Sequence, residues 1–125
     1  MEDRLVRLAG MVCRISGSLP RSEEGRHISG QLVRCGTAPA ANYAEARGAE
    51  SRKDFIHKMK VCLKELRETH VWLKLALELG MGETSSVETA VAETDELIAV
   101  FVTSIATARR NSGRSRREAE SPPTS

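Results

Sequence analysis

One stretch constrains the fold more than any other. From Arg52 to Leu79 the chain reads RKDFIHKMKVCLKELRETHVWLKLALEL, without proline or glycine. Apolar residues return at Phe55, Met59, Cys62, Leu63, Leu66, Leu73 and Leu77, with Val61, Val71, Trp72 and Leu75 beside them. Steps of three and four place these side chains on one face of a helix. Lys, Arg and Glu fill most other positions and are good helix formers. Such a helix is about 40 Å long at 1.5 Å per residue. It cannot bury its apolar side alone, so it needs partner helices of similar length.

The rest of the chain supplies them. Leu5, Leu8, Val12 and Ile15 share a stripe, with Met11 at its margin, and predict a first helix over about 3–16. Gly17, Ser18 and Pro20 end it. A second helix over about 23–46 begins with Glu23 and Glu24, the charge a helix start favours, and buries Ile28, Leu32 and Cys35. Pro39 lies inside it and predicts a kink there. Ser51 is a cap for the third helix, 52–79, with Asp54 placed to complete a capping box. Gly80 is a left-handed stop. The fourth helix, about 85–109, has its seam at Val87, Val91, Thr94, Leu97, Ile98, Phe101, Ile105 and Ala108. Residues 111–125, NSGRSRREAESPPTS, carry no apolar stripe and predict a disordered tail. The fold class is all-α: an antiparallel, up-and-down four-helix bundle with short loops over residues 1–110.

Charge narrows the function. The net charge is +2, from 19 basic and 17 acidic side chains. From Arg109 onward, five arginines and two glutamates give +3, so residues 1–108 carry −1. Residues 52–74 hold seven basic and three acidic side chains, whereas 87–108 hold four acidic and none basic. Two clusters can contact phosphates without reading bases: Arg52, Lys53, Lys60, Lys64 and Arg67, and Arg109, Arg110, Arg114, Arg116 and Arg117. No aromatic residue interleaves with these arginines to stack bases.

Other chemistry finds little support. Cys13, Cys35 and Cys62 are too few and too scattered for a disulfide framework, and each lies among apolar residues. Buried, reduced thiols in the cytoplasm are the simplest reading. His27, His57 and His70 lack the three- or four-residue spacing of helical metal ligands, so no metal or other cofactor is expected. The carboxylate pairs Glu65/Glu68 and Glu93/Glu96 share helix faces but lack the Glu-x-x-His motif of di-metal bundles; they read as solvated faces or salt links between helices. No phosphate-cradling glycine loop occurs and no nucleophile has a recognisable base. No run approaches the ~18 apolar residues of a membrane span. Asn42 and Glu45, with Arg34 on the same flank, read as a structural polar network holding the second helix and the following turn.

The segments Gln31-Leu32-Val33-Arg34, Pro39-Ala40-Ala41-Asn42-Tyr43-Ala44-Glu45 and Ser51-Arg52-Lys53-Asp54-Phe55 resemble the signature of a bacterial family. Its members are four-helix bundles encoded within 23S ribosomal RNA intervening sequences. Leu63-Lys64-Glu65-Leu66-Arg67-Glu68-Thr69 is similar to the same family's third helix, and Ser18-Leu19-Pro20 to its first loop. The resemblance spans about residues 5–105 and implies Arg34, Asn42, Glu45, Lys53, Phe55, Glu65 and Glu68 as family-type positions. It implies self-association, as a homopentamer in some relatives. Among those relatives are accessory proteins of diversity-generating retroelements, which associate with a reverse transcriptase and bind nucleic acid. The chain departs from the pattern at Ala46, where glycine is usual, and in a first helix without its leading turns. The function expected is a non-catalytic, homo-oligomeric scaffold with weak electrostatic binding of RNA or DNA. The alternative is a protein–protein interaction module with no nucleic-acid role.

Overall fold

The computed structural model describes the backbone of residues 1–120 and the side chains of residues 1–113. Four helices follow one another: α1 (Glu2–Ser18), α2 (Glu23–Arg47), α3 (Arg52–Glu78) and α4 (Thr84–Glu120). No strand occurs among the described residues. Each helix packs on its neighbours in sequence, and α1 also meets α4, which closes the bundle. Adjacent helices run antiparallel. Glu2 at the start of α1 faces Arg47 at the end of α2, and Glu45 of α2 faces Lys58 of α3.

The caps follow local chemistry. The Ser22 hydroxyl accepts from the Gly25 amide at the start of α2. The Ser51 hydroxyl accepts from the Asp54 amide at the start of α3. At the end of α3 the Met81 amide donates to the Ala76 carbonyl and the Gly80 amide to the Leu77 carbonyl. That double bond pattern is a Schellman cap, and it requires the left-handed φ of +65° at Gly80. The turn after α2 is different: it falls at Gly48 with φ −96°, and Ala46 is buried in the core.

The core is aliphatic, built from Leu5, Leu8, Val12, Leu32, Leu66, Leu73, Val87 and Leu97 around Phe101. Two threonines join it. Thr69 and Thr94 are fully buried, and each hydroxyl donates to the carbonyl one turn earlier, Glu65 and Ala90. That local bond satisfies the hydroxyl without a partner helix. Thr69 and Ala76 complete the α3 seam, while Leu63 and Leu77 are half-buried at its margins and Val71 is exposed. Tyr43 of α2 meets Phe101 edge to face, with ring centroids 6.2 Å apart.

Three expectations change. The helix α2 runs unbroken through Pro39, which is buried, and the Pro39 carbonyl accepts from the Cys62 thiol of α3 at 3.6 Å. The helix α4 does not stop near 109. Its backbone stays helical to Glu120, across ten residues expected to be disordered. Arginine, glutamate and alanine favour helix there, and the first proline is Pro122. The rest of the expected tail, 121–125, lies outside the described residues. Cys13 is exposed, unlike Cys35 and Cys62. It follows Val12 by one residue, and a step of 100° carries it off the buried stripe.

Burial pushes the Cys62 thiol up to about 12 and also raises that of Cys35, against a smaller opposing hydrogen bond from Thr69. Thiolate is the reactive form. A thiol reagent at neutral pH should therefore modify Cys13 in the folded protein, and all three cysteines only after unfolding. Titration with and without denaturant checks this. Helices α1 and α2 touch at Gly36, where an added Cβ would lie 2.5 Å from Val12 Cγ1. Gly36→Ala should gain about 1 kcal/mol of helix propensity and lose about 1–3 kcal/mol to overpacking. A net lowering of the urea midpoint is expected, with partial recovery in the Gly36→Ala/Val12→Ala double variant.

Candidate functional site

The two carboxylate pairs have the same fate. On α3, Glu65 and Glu68 are a turn apart and both face α2. Arg34 reaches them there, at 3.4 Å and 2.7 Å, and also donates to the Gln31 side chain. On α4, Glu93 and Glu96 face α1. Arg4 forks onto Glu93 at 2.6 Å and 3.2 Å and reaches Glu96 at 3.3 Å. Both arginines are held above their usual range, first by the hydrogen bond to Glu68 or Glu93 respectively. Each helix pair thus carries one guanidinium clamp on an i,i+3 carboxylate pair.

The polar residues of α2 do not form one network. Arg34 joins Glu65 and Glu68. Glu45 instead pairs with Lys58 at 3.0 Å, which raises the Lys58 ammonium. Asn42 turns back on its own helix, donating to the Ala38 carbonyl at 3.0 Å. Sequence reasoning missed Arg4. The signal was present in the Glu93/Glu96 pair, which needed a cation from another helix.

These pairings sort the cations of α3. Lys58 is committed to the α2 flank. Lys53, Lys60, Lys64 and Arg67 are exposed, and none forms an ion pair with another described residue. With Lys74 they follow steps of seven, four, three and seven, which keeps them on one face for about 30 Å. Arg52 is exposed beside this stripe and has interactions of its own. The same face ends in exposed apolar side chains: Val71 is 57% exposed and Leu79 50%, with Leu75 between them. Next to them lies a cleft of about 430 Å³ bordered by His27, Trp72, Glu23 and Glu24. Arg109 and Arg110 are exposed on α4; the side chains of Arg114, Arg116 and Arg117 lie outside those described. No cluster of three or more His, Cys, Asp or Glu among the described residues could hold a metal ion. No helix among them is long and apolar enough to cross a membrane.

The sequence pattern of the 23S rRNA-intervening sequence protein family matches residues 3–103, nearly the whole bundle. The chain belongs to this family. Among solved structures, this intervening-sequence protein is similar to a protein of unknown function from the S23 ribosomal protein family of Bacteroides thetaiotaomicron. The two share 29% identity and superpose with a TM-score of 0.76, over 83% of this chain and 96% of that one. No curated protein matches. The family pattern stops at 103, so the arginine-rich end of α4 lies beyond it.

One titratable group sits between the charged faces. His70 on α3 lies 3.9 Å from Asp95 on α4. Burial pushes its imidazole below the usual histidine range, helped by Lys74 and opposed by Asp95. As pH falls, the unfolded chain therefore takes up this proton first. Stability should be level above about pH 6.5 and decline below it, until the folded imidazole also charges. His70→Gln should flatten that decline, read from urea midpoints across the interval.

Proposed function

We propose that this protein is a non-catalytic, self-associating helical scaffold that holds nucleic acid weakly through its phosphates. The observation that carries the reading is the exposed stripe of Lys53, Lys60, Lys64 and Arg67, whose charges no neighbouring carboxylate takes up. Long cations on a rigid helix can each neutralise a phosphate and release its counterion, with no contact to base edges. Arg52, Arg109 and Arg110, with Arg114, Arg116 and Arg117 farther along α4, add to the same attraction. RNA and DNA are both suitable ligands, because phosphate is the group recognised. Catalysis has no place in the reading: the carboxylate pairs are occupied by Arg34 and Arg4, and two of the three thiols are buried.

A second reading rests on Val71, Leu75 and Leu79. A row of exposed apolar side chains one turn apart suits docking to another protein. A reverse transcriptase would be such a partner, in line with the accessory proteins the sequence resembles. Recovery of a partner unchanged by nuclease treatment would favour this reading.

The test is a salt titration of binding to labelled RNA and DNA, followed by fluorescence anisotropy. Affinity should fall by tenfold or more between about 50 and 200 mM salt if several phosphates are neutralised. Lys60→Ala/Lys64→Ala/Arg67→Ala should weaken binding on every sequence about equally and make the salt dependence shallower. Affinity absent at low salt, or indifferent to salt, would overturn the reading.

A further inference from the structure

The outer faces of α3 and α4 are opposites. Along α3, Lys53, Lys60, Arg67 and Lys74 recur every seven residues, and the face ends in Val71, Leu75 and Leu79. Along α4, Glu88 and Asp95 recur at the same interval and are followed by Val102, which is 43% exposed. Beside them run Ala92, Ala99 and Ala106, again seven apart and all exposed. An outward ridge of alanines lets another helix come close, because nothing larger than a methyl group stands in the way. Seven-residue spacing on both faces lets two helices keep contact along their length. The charges on the two faces attract, and exposed apolar side chains are available on each.

Within one molecule these faces cannot meet. Helices α3 and α4 already pack through their inner sides, so both outer faces point away from the bundle. The complement is available only on a second molecule. We infer that the outer face of α3 in one copy docks on the outer face of α4 in another, with Lys60 and Arg67 of the first facing Glu88 and Asp95 of the second. The contact joins two different surfaces, so both faces of a given copy can be occupied at once, one by each neighbour. It rests on the self-association proposed above and names the surfaces that carry it. It also sets assembly against nucleic-acid binding, since a copy whose α3 is covered cannot offer that stripe to a phosphate backbone.

Charge exchange tests this directly. One variant is Lys60→Glu/Arg67→Glu and the other is Glu88→Lys/Asp95→Lys. All four residues are exposed, so both variants should fold, with helical circular dichroism as the check. Light scattering at low salt should give the wild-type chain a mass at least twice its 13.7 kDa. Each variant alone should be a monomer, because like charges then face each other. An equimolar mixture, or one chain carrying all four changes, should assemble again. In the mixture the acidic α3 of one variant meets the basic α4 of the other.

Anisotropy on the same samples separates this inference from the reading beneath it. Glu88→Lys/Asp95→Lys keeps the α3 stripe and should bind RNA at least as well as wild type while remaining monomeric. A wild-type monomer under these conditions would overturn both this inference and the self-association it rests on. An assembled wild type whose variants also assemble would overturn the interface alone. Variants that dissociate but never recover on mixing would overturn it equally.

Discussion

The structure depends on covering the apolar side of α3. That side carries Met59, Cys62, Leu66, Thr69, Leu73 and Ala76, all buried. Helix α3 lies between α2 and α4 and shares the core with both, whereas α1 packs on α2 and α4. Burying aliphatic side chains at about 1.5–3 kcal/mol each outweighs any of the surface ion pairs. The polar exceptions in the core are consistent with this. Thr69 and Thr94 are tolerated because each hydroxyl bonds within its own helix, so nothing polar has to be matched across the interface.

Charge then divides the surface. Carboxylates that face a neighbouring helix are neutralised there, Glu65 and Glu68 by Arg34, Glu93 and Glu96 by Arg4. What remains is uneven. The outer side of α3 keeps its lysines, and the outer side of α4 keeps Glu88 and Asp95. Exposed pairs of this kind add little to folding stability. Their arrangement serves association better, since a patterned field steers encounters and selects partners. Both the phosphate reading and the interface reading draw on this one asymmetry. Membership of the intervening-sequence family accounts for the bundle and leaves the use of its surface to be argued from these charges.

Much of the fold was legible in the chain. The α1 stripe of Leu5, Leu8, Val12 and Ile15 is buried as its spacing required. Ser51 caps α3 and Gly80 ends it with a left-handed φ, both from residue type alone. The candidate site was legible in part. Lys53, Lys60, Lys64 and Arg67 lie outward because they fall opposite the apolar seam. Lys58 looked the same in sequence, but its face turns toward Glu45 of α2. The fate of Asn42, bonded to Ala38 within its own helix, could not be read from its nearness to Glu45. A short amide has a carbonyl one turn back always within reach, and that local partner wins.

Periodicity, caps and helix stops act over one or two turns, so the order of residues alone determined four helices, their inner faces and their short antiparallel connections. Contacts between residues far apart in the chain were decided only by packing. Arg4 reaches Glu93 across 89 positions, and Arg34 reaches Glu68 across 34. Gly36 is needed because Val12 of another helix stands against it. No local pattern encodes which helix lies beside which, or at what height along the bundle. That height is set when the apolar seams interlock, and the seams then choose which charges are paired and which are left facing out.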